Sequence, residues 1–170
     1  MAMTGVLRPG HAIVRVLDLD ESVNFYTNVM GLKETGRDKA GRVYFKAHDE
    51  RDHNSFVIRQ ADRAGIDCFA FKVLERATLD QYDARLKEYG IKTERIPAGE
   101  LKGTGERVRF ETPSGHLIEL YAEKQRVGNG LPDVIPDVWP DGLKGMHPTR
   151  FDHCLLNGDS IPETAKLFQE

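Results

Sequence analysis

Two segments of the sequence place a histidine three residues after an arginine. Histidine can bind a metal ion or transfer a proton. The segments are Arg8-Pro-Gly-His11 and Arg150-Phe-Asp-His153. Imidazole binds transition metals and exchanges protons near neutral pH. Later residues match at the same offset: Leu19 with Ile161, Glu21 with Glu163, and Tyr26 with Phe168. The spacing predicts a repeated unit, a strand leading into an amphipathic helix, and a chain that stops inside the second copy.

The histidines differ in how strongly their surroundings indicate a site. On residue type alone, a single histidine in a strand, such as His153, is more often a packed core residue than a ligand. His48 and His53 lie in a charged loop, where a solvated surface is expected. His116 and His147 lie beside turn-forming residues and have no ligand spacing. The sequence also lacks a glycine-rich phosphate loop, an HExxH or CxxC motif, and a serine nucleophile elbow.

Composition argues against several classes of function. The chain has 170 residues, 39% hydrophobic and 30% charged, with a net charge of −3. No apolar stretch approaches the roughly 18 residues of a membrane span, and no secretory signal opens the sequence, so a cytoplasmic location is expected. The basic residues are dispersed, which argues against nucleic acid and favours a small substrate. Cys68 and Cys154 lie far apart and are expected to be two buried thiols.

The strands and helices that must position the histidines are predicted to occur in the same order in two successive modules. Alternating polarity predicts a strand over Val6 to Val16, then a helix capped by Asp18 or Asp20 and ended by Gly31. Three strand-like runs follow, near residues 34–37, 42–47 and 55–59. The interpretation is an α+β fold built from βαβββ modules.

The second module begins near residue 67. Its predicted elements are a strand over residues 67–73, a helix ended by Gly90, and strands over residues 91–95, 107–111 and 117–122. Thr78 and Gln81 have the spacing of a capping box. One module alone exposes an apolar face, so two are expected to pack together.

The stretch after Ala122 is rich in glycine, proline and aspartate, which indicates a linker with Trp139 as its aromatic anchor. The predicted organisation is therefore a two-module domain over residues 1–122, a linker over 123–149, and the truncated start of a further domain over 150–170.

Modules of this order, used in pairs, resemble the vicinal oxygen chelate architecture, in which they wrap a cupped sheet around a metal. Within that group, ten short motifs resemble the amino-terminal half of the catechol 2,3-dioxygenase family of extradiol ring-cleaving enzymes. The motifs are Arg8-Pro-Gly-His, Val16-Leu-Asp, Gly41-Arg-Val-Tyr, Phe71-Lys-Val, Pro97-Ala-Gly-Glu-Leu, Arg107-Val-Arg-Phe, Pro113-Ser-Gly-His, Glu119-Leu-Tyr-Ala, Leu143-Lys-Gly-Met and Arg150-Phe-Asp-His. No single motif is specific, but their order and spacing are.

The resemblance implies that a carboxy-terminal domain holds Fe(II) through two histidines and one glutamate. His153 matches the first histidine, and the other two ligands, with the acid and base residues, are expected beyond Glu170. Such a triad leaves positions on the metal for a catecholate and for dioxygen. The implied reaction is cleavage of catechol to 2-hydroxymuconate semialdehyde by a homotetramer, with residues 1–170 alone inactive.

The same alignment places His11, then Asp67 or Cys68, then Glu119 where a metal-binding domain would have two histidines and a glutamate. This set does not suit Fe(II), and the resemblance implies that residues 1–122 are metal-free. His11 and Glu119 are then expected to form a buried hydrogen-bonded pair.

Two other functions stay open at this point. A metal-free binding or resistance protein would use paired modules without chemistry. The restart at Arg150 argues against it, because a two-module binding protein has no reason to begin a third module. A glyoxalase-type isomerase would use similar modules, but it does not explain the long linker.

Overall fold

The structure is a computed structural model and describes residues 5–131 and 142–169. Its residues form two compact units. The first-module unit comprises His11–Ile66 and Gln125–Phe151. The second-module unit comprises the residues up to Gly10, Asp67–Lys124, and the residues from Asp152 onward. Neither unit is one continuous stretch of chain.

The first module has the predicted order of one strand, a helix and three strands. Its elements are β1 (Val6–Val16), α1 (Leu19–Asn24), a π-helical turn (Phe25–Val29), β2 (Lys33–Arg37), β3 (Val43–Lys46) and β4 (Phe56–Gln60). β2 pairs antiparallel with β3 and β3 antiparallel with β4, while β4 pairs parallel with β1, where Ala12 lies opposite Phe56.

Local chemistry explains where α1 and its π-helical extension begin and end. The Asp18 carboxylate accepts a hydrogen bond from the amide of Glu21 at 2.9 Å, so Asp18 is the N-cap. Gly31 ends the turn with a φ of +78°, a conformation that glycine adopts without steric cost. The predicted apolar face is confirmed, because Val23, Tyr26 and Met30 pack against the buried core of this module.

The second module repeats the order and the sheet pattern. Its elements are β5 (Gly65–Val73), α2 (Arg76–Glu88), β6 (Thr93–Ile96), β7 (Arg107–Glu111) and β8 (Leu117–Tyr121). β5 pairs parallel with β8, and β6, β7 and β8 pair antiparallel in sequence. The turn between β7 and β8 forms as predicted, with the Thr112 amide donating to His116 O at 2.9 Å.

The predicted capping box of α2 is wrong. The helix begins at Arg76, two residues before Thr78, and its N-cap Glu75 makes no side-chain capping bond. Thr78 is buried instead, because its methyl group packs close to the backbone of Gly5. The helix ends, as predicted, before Gly90, whose φ is +89°.

A third helix, α3 (Ile161–Gln169), lies in the second-module unit. Its first residue, Ile161, is the one that matches Leu19 in the sequence repeat, and Leu19 is the first residue of α1. The amphipathic helix predicted after Arg150 is therefore confirmed. Among the helices in the described ranges, none is long and apolar enough to cross a membrane.

Much of the predicted linker is packed against the first module. We call residues 125–131 and 142–151 the strap, since both parts belong to the first-module unit. Met146 N donates to Val29 O at 2.9 Å, and a Cβ built on Gly145 would lie 2.0 Å from that oxygen. Only glycine allows this close approach. Trp139, the predicted anchor, lies outside the described residues.

Candidate functional site

His153 lies in an irregular segment between the strap and α3. Its side chain is 86% exposed, and its Nδ1 lies 3.2 Å from a carboxylate oxygen of Asp152. When Nδ1 carries the proton and donates to Asp152, Nε2 presents the lone pair that a metal ion needs. The arrangement suits a metal ligand that is oriented by a neighbouring carboxylate.

The strand predicted at Arg150 to His153 is wrong for this structure. Residues 150–160 form neither a strand nor a helix. A strand requires a hydrogen-bonded neighbour, and none of the strands in the described residues pairs with this segment. His153 is consequently exposed rather than packed in a core.

The segment after His153 is fixed to the turn between β7 and β8. The Thr164 hydroxyl donates to Ser114 Oγ at 2.9 Å and accepts from the Ser114 amide at 3.1 Å. Ser114 Oγ in turn lies 2.8 Å from His116 Nδ1. His116, to which the sequence analysis gave no role, therefore contacts the serine that holds α3 against this turn.

His11 has the opposite environment from its counterpart in the repeat. It lies within β1 and is fully buried. The hydrogen-bonded pair of His11 with Glu119 stays a prediction.

Glu119 is fully buried, and its carboxylate forms ion pairs with two arginines. Its Oε1 accepts from Arg109 Nη2 at 2.6 Å and from Arg109 Nε at 3.0 Å, and its Oε2 lies 2.8 Å from Arg107 Nε. Arg107 is also fully buried and forms an ion pair with Glu100. Sequence reasoning missed these arginines, although the register of the β7–β8 hairpin places Arg109 opposite Glu119.

The thiol in the same unit does not suit a metal either. Cys68 is buried on β5, and burial, aided by the negative charge of Glu119, raises the pKa of its thiol far above the ordinary value. The group therefore stays protonated, whereas a metal ligand must be a thiolate. Both cysteines are free, as predicted, although Cys154 is only half-buried.

Within residues 5–131 and 142–169, no three histidine, cysteine, aspartate or glutamate side chains come together in a group that could hold a metal ion. His153 therefore fits a transition metal as a single donor.

The predicted solvation of His48 and His53 is wrong. The charged loop, residues 47–55, is largely buried, with His48 at 9% and His53 at 3% exposure. The strap covers it: the His48 amide donates to Pro148 O at 3.3 Å, and the His53 amide donates to Gln125 O at 2.8 Å. The covering residues lie far along the chain, so no local pattern could reveal them.

The second-module unit contains an apolar cavity of about 840 Å³ between α2, α3 and the sheet. Its walls include Phe71, Tyr82, Phe110 and Phe168. Neither His153 nor Glu119 lines it, so we do not assign it to the candidate site.

Comparison with known proteins identifies the relatives of this chain. A family model described as a catechol 2,3-dioxygenase-like N-terminal domain matches residues 66–125. Metapyrocatechase from Pseudomonas sp. (strain CF600) is 51% identical over 167 residues, which are 98% of this chain and 54% of that protein. A manganese-dependent 2,3-dihydroxybiphenyl 1,2-dioxygenase from Geobacillus genomosp. 3 is 27% identical over 146 residues, which are 85% of this chain and 46% of that protein.

A solved structure shows the same likeness in three dimensions. The 2,3-dioxygenase LapB from Pseudomonas sp. KL28 is 62% identical, with a TM-score of 0.93 over 98% of this chain and 58% of that one. The chain spans about half the length of the curated relatives it matches.

The two βαβββ modules and these similarities define the vicinal oxygen chelate fold of the extradiol dioxygenases, which confirms the predicted fold class. Within that class, the chain is similar to a metapyrocatechase over 98% of its length, and residues 66–125 match the catechol 2,3-dioxygenase-like N-terminal domain, as the short motifs indicated.

Proposed function

We propose that the protein to which this chain belongs is a catechol 2,3-dioxygenase, which opens catechol beside its hydroxyl groups with dioxygen and yields 2-hydroxymuconate semialdehyde. The observation that carries the proposal is the 51% identity to a metapyrocatechase over 98% of the chain. This similarity includes the segment around His153, which a two-module binding protein would not require. Catechol or a substituted catechol and O2 are the proposed substrates.

The proposed metal is Fe(II), with His153 as one ligand. The family is metal-dependent, and one relative is named manganese-dependent, so Mn(II) is the competing metal. Both ions accept imidazole and carboxylate donors. The metal would supply a common binding point for catecholate and dioxygen. The remaining donors must come from outside the described residues, because these residues hold no three-donor group.

For the complete protein, we also propose the organisation predicted from the sequence, with residues 1–122 as a metal-free domain, 123–149 as a connection and 150–170 as the start of the catalytic domain. The two arginines at Glu119 support a metal-free amino-terminal domain, because a guanidinium supplies the positive charge that a cation would otherwise provide. A homotetramer in the cytoplasm is the proposed state.

The test is made on the full-length protein. Purified protein is stripped with a chelator, reloaded separately with Fe(II) and Mn(II), and assayed with catechol for the yellow ring-opened product. The proposal expects turnover to return with Fe(II), at a stoichiometry of about one ion per chain. Protein that binds neither ion, or that binds Fe(II) without opening catechol, would reject it.

A further inference from the structure

Glu50 lies at the centre of the contact between the charged loop and the strap. Its Oε2 accepts a hydrogen bond from the Ala47 amide at 2.8 Å and one from the Ser55 hydroxyl. Its Oε1 accepts from the Phe151 amide at 2.9 Å. One carboxylate oxygen is thus committed to the loop, and the other holds the end of the strap.

The loop itself is firmly seated beneath this carboxylate. Lys46 is buried, and its ammonium group donates to the carbonyl oxygen of Glu50 at 2.5 Å. Burial lowers the pKa of Lys46. Asn129, from the other part of the strap, donates to Asp49 O at 3.3 Å. Glu50 therefore extends from a fixed backbone, so its reach to Phe151 is defined.

The geometry requires a carboxylate at this position. The groups that face its two oxygens include the backbone N–H groups of Ala47 and Phe151, which can only donate. A glutamine has one carbonyl oxygen, so its NH2 group would have to face one of these two N–H groups. Glu50→Gln therefore leaves one backbone donor unsatisfied, despite its nearly identical shape.

The contact matters because Phe151 precedes His153 by two residues. At about 3.3–3.6 Å per residue, His153 lies at most about 7 Å along the chain from the held amide. Residues 151–157 form neither strand nor helix, so no backbone ladder fixes their position. A side-chain acceptor at Phe151 limits where the imidazole of His153 can go.

We infer that Glu50 is a positioning residue for the metal site: it holds the Phe151 backbone so that His153 is presented to the metal. This inference rests on the proposed role of His153 as a ligand. Glu50 acts through the chain and does not touch the metal. It would thereby couple a loop of the amino-terminal module to the metal affinity of the complete protein.

The test compares the full-length wild-type protein with Glu50→Gln and with Glu88→Gln, a matched change at an exposed glutamate of α2. Two quantities are measured: the amide hydrogen-exchange rate over residues 148–153 and the Fe(II) dissociation constant in competition with a chelator. Glu50→Gln is expected to speed exchange about tenfold and to weaken Fe(II) binding about tenfold. Glu88→Gln is expected to change neither.

Unchanged exchange in Glu50→Gln overturns the inference, and so does faster exchange with unchanged Fe(II) affinity. If Glu50→Gln does not fold, Glu50→Asp replaces it, because this change keeps both acceptors but shortens the reach by one methylene; the same two results are expected. His153→Ala separates the two proposals. If it retains normal Fe(II) affinity, the ligand assignment fails; if it loses Fe(II) while Glu50→Gln does not, only the positioning role fails.

Discussion

The two Arg-x-x-His segments have diverged in environment although they share a pattern. His11 is fully buried in β1, whereas the side chain of His153 is 86% exposed in an irregular segment beside Asp152. Burying a polar group costs free energy that its hydrogen-bonding partners must offset. A substitution that leaves such a group or its partners unpaired therefore lowers the stability of the fold. An exposed imidazole makes little contribution to folding and is accessible to a ligand. The comparison therefore predicts that buried polar groups of this chain control stability and that His153 controls function.

The largest expected effect is a complete loss of activity in the isolated segment. Residues 1–170 produced alone should neither hold Fe(II) tightly nor cleave catechol, because the described residues contain no group of three side chains that could hold a metal ion. The measurement is bound iron and yellow product after anaerobic loading with Fe(II). Ring cleavage by the segment alone would show that its function does not depend on donors elsewhere.

Next comes the direct comparison of the two histidines in the full-length protein. His153→Ala should abolish turnover and weaken metal binding by more than the roughly 10- to 100-fold typical of an outer-shell change. His11→Ala should lower the unfolding midpoint while leaving a functional metal centre. Iron content, turnover and thermal unfolding are measured on both variants. Normal iron content and turnover in His153→Ala would mean that the repeat is only architectural.

A third prediction concerns stability alone. Glu119→Gln should lower the free energy of unfolding by about 3–5 kcal/mol, because it removes one of the two charged partners of the buried Arg107 and also the buried charge that pairs with Arg109. Metal binding in any variant that folds should change little. Urea unfolding gives the first quantity and chelator competition the second. A large loss of metal affinity with normal stability would show that Glu119 acts on metal binding rather than on the stability of the fold.

The smallest effect is a pH dependence at Asp83. Burial by itself would raise the pKa of Asp83, but hydrogen bonds from Thr93, Lys87 and Arg95 lower it below the ordinary value. The stabilisation is therefore complete above the unfolded pKa of about 3.9 and is lost as pH falls through the folded value. Asp83→Asn should cost about 1–3 kcal/mol at pH 7 and progressively less toward pH 2. Unfolding curves across this range test it, and an unchanged difference at every pH would contradict the assignment.

Local signals in the sequence predicted the elements well. The bounds of β1 and β7, the cap at Asp18 and the glycine ends of two helices follow from alternation, capping and positive φ, which involve residues near each other in the chain. The capping box at Thr78 was wrong because contact with Gly5 placed Thr78 in the interior.

The surroundings of the site could not be predicted in the same way. The burial of His48 depends on Pro148, and the position of Phe151 depends on Glu50. Each of these pairs is separated by about a hundred residues. Only the resemblance of Arg150-Phe-Asp-His153 to the family pointed to His153 as a candidate ligand, since its exposure and its irregular backbone differ from the strand that the repeat predicted.

The interleaving of the two units bears on how the protein folds as it is synthesised. The first-module unit uses the strap, residues 125–131 and 142–151, to cover a loop made up to about a hundred residues earlier, so this unit cannot be completed until the strap has left the ribosome. The second-module unit likewise combines residues up to Gly10 with α3 near the other end of the chain. Nascent chains halted near residue 122 should therefore keep the charged loop exposed and protease-sensitive, and protection should arrive only when the strap emerges.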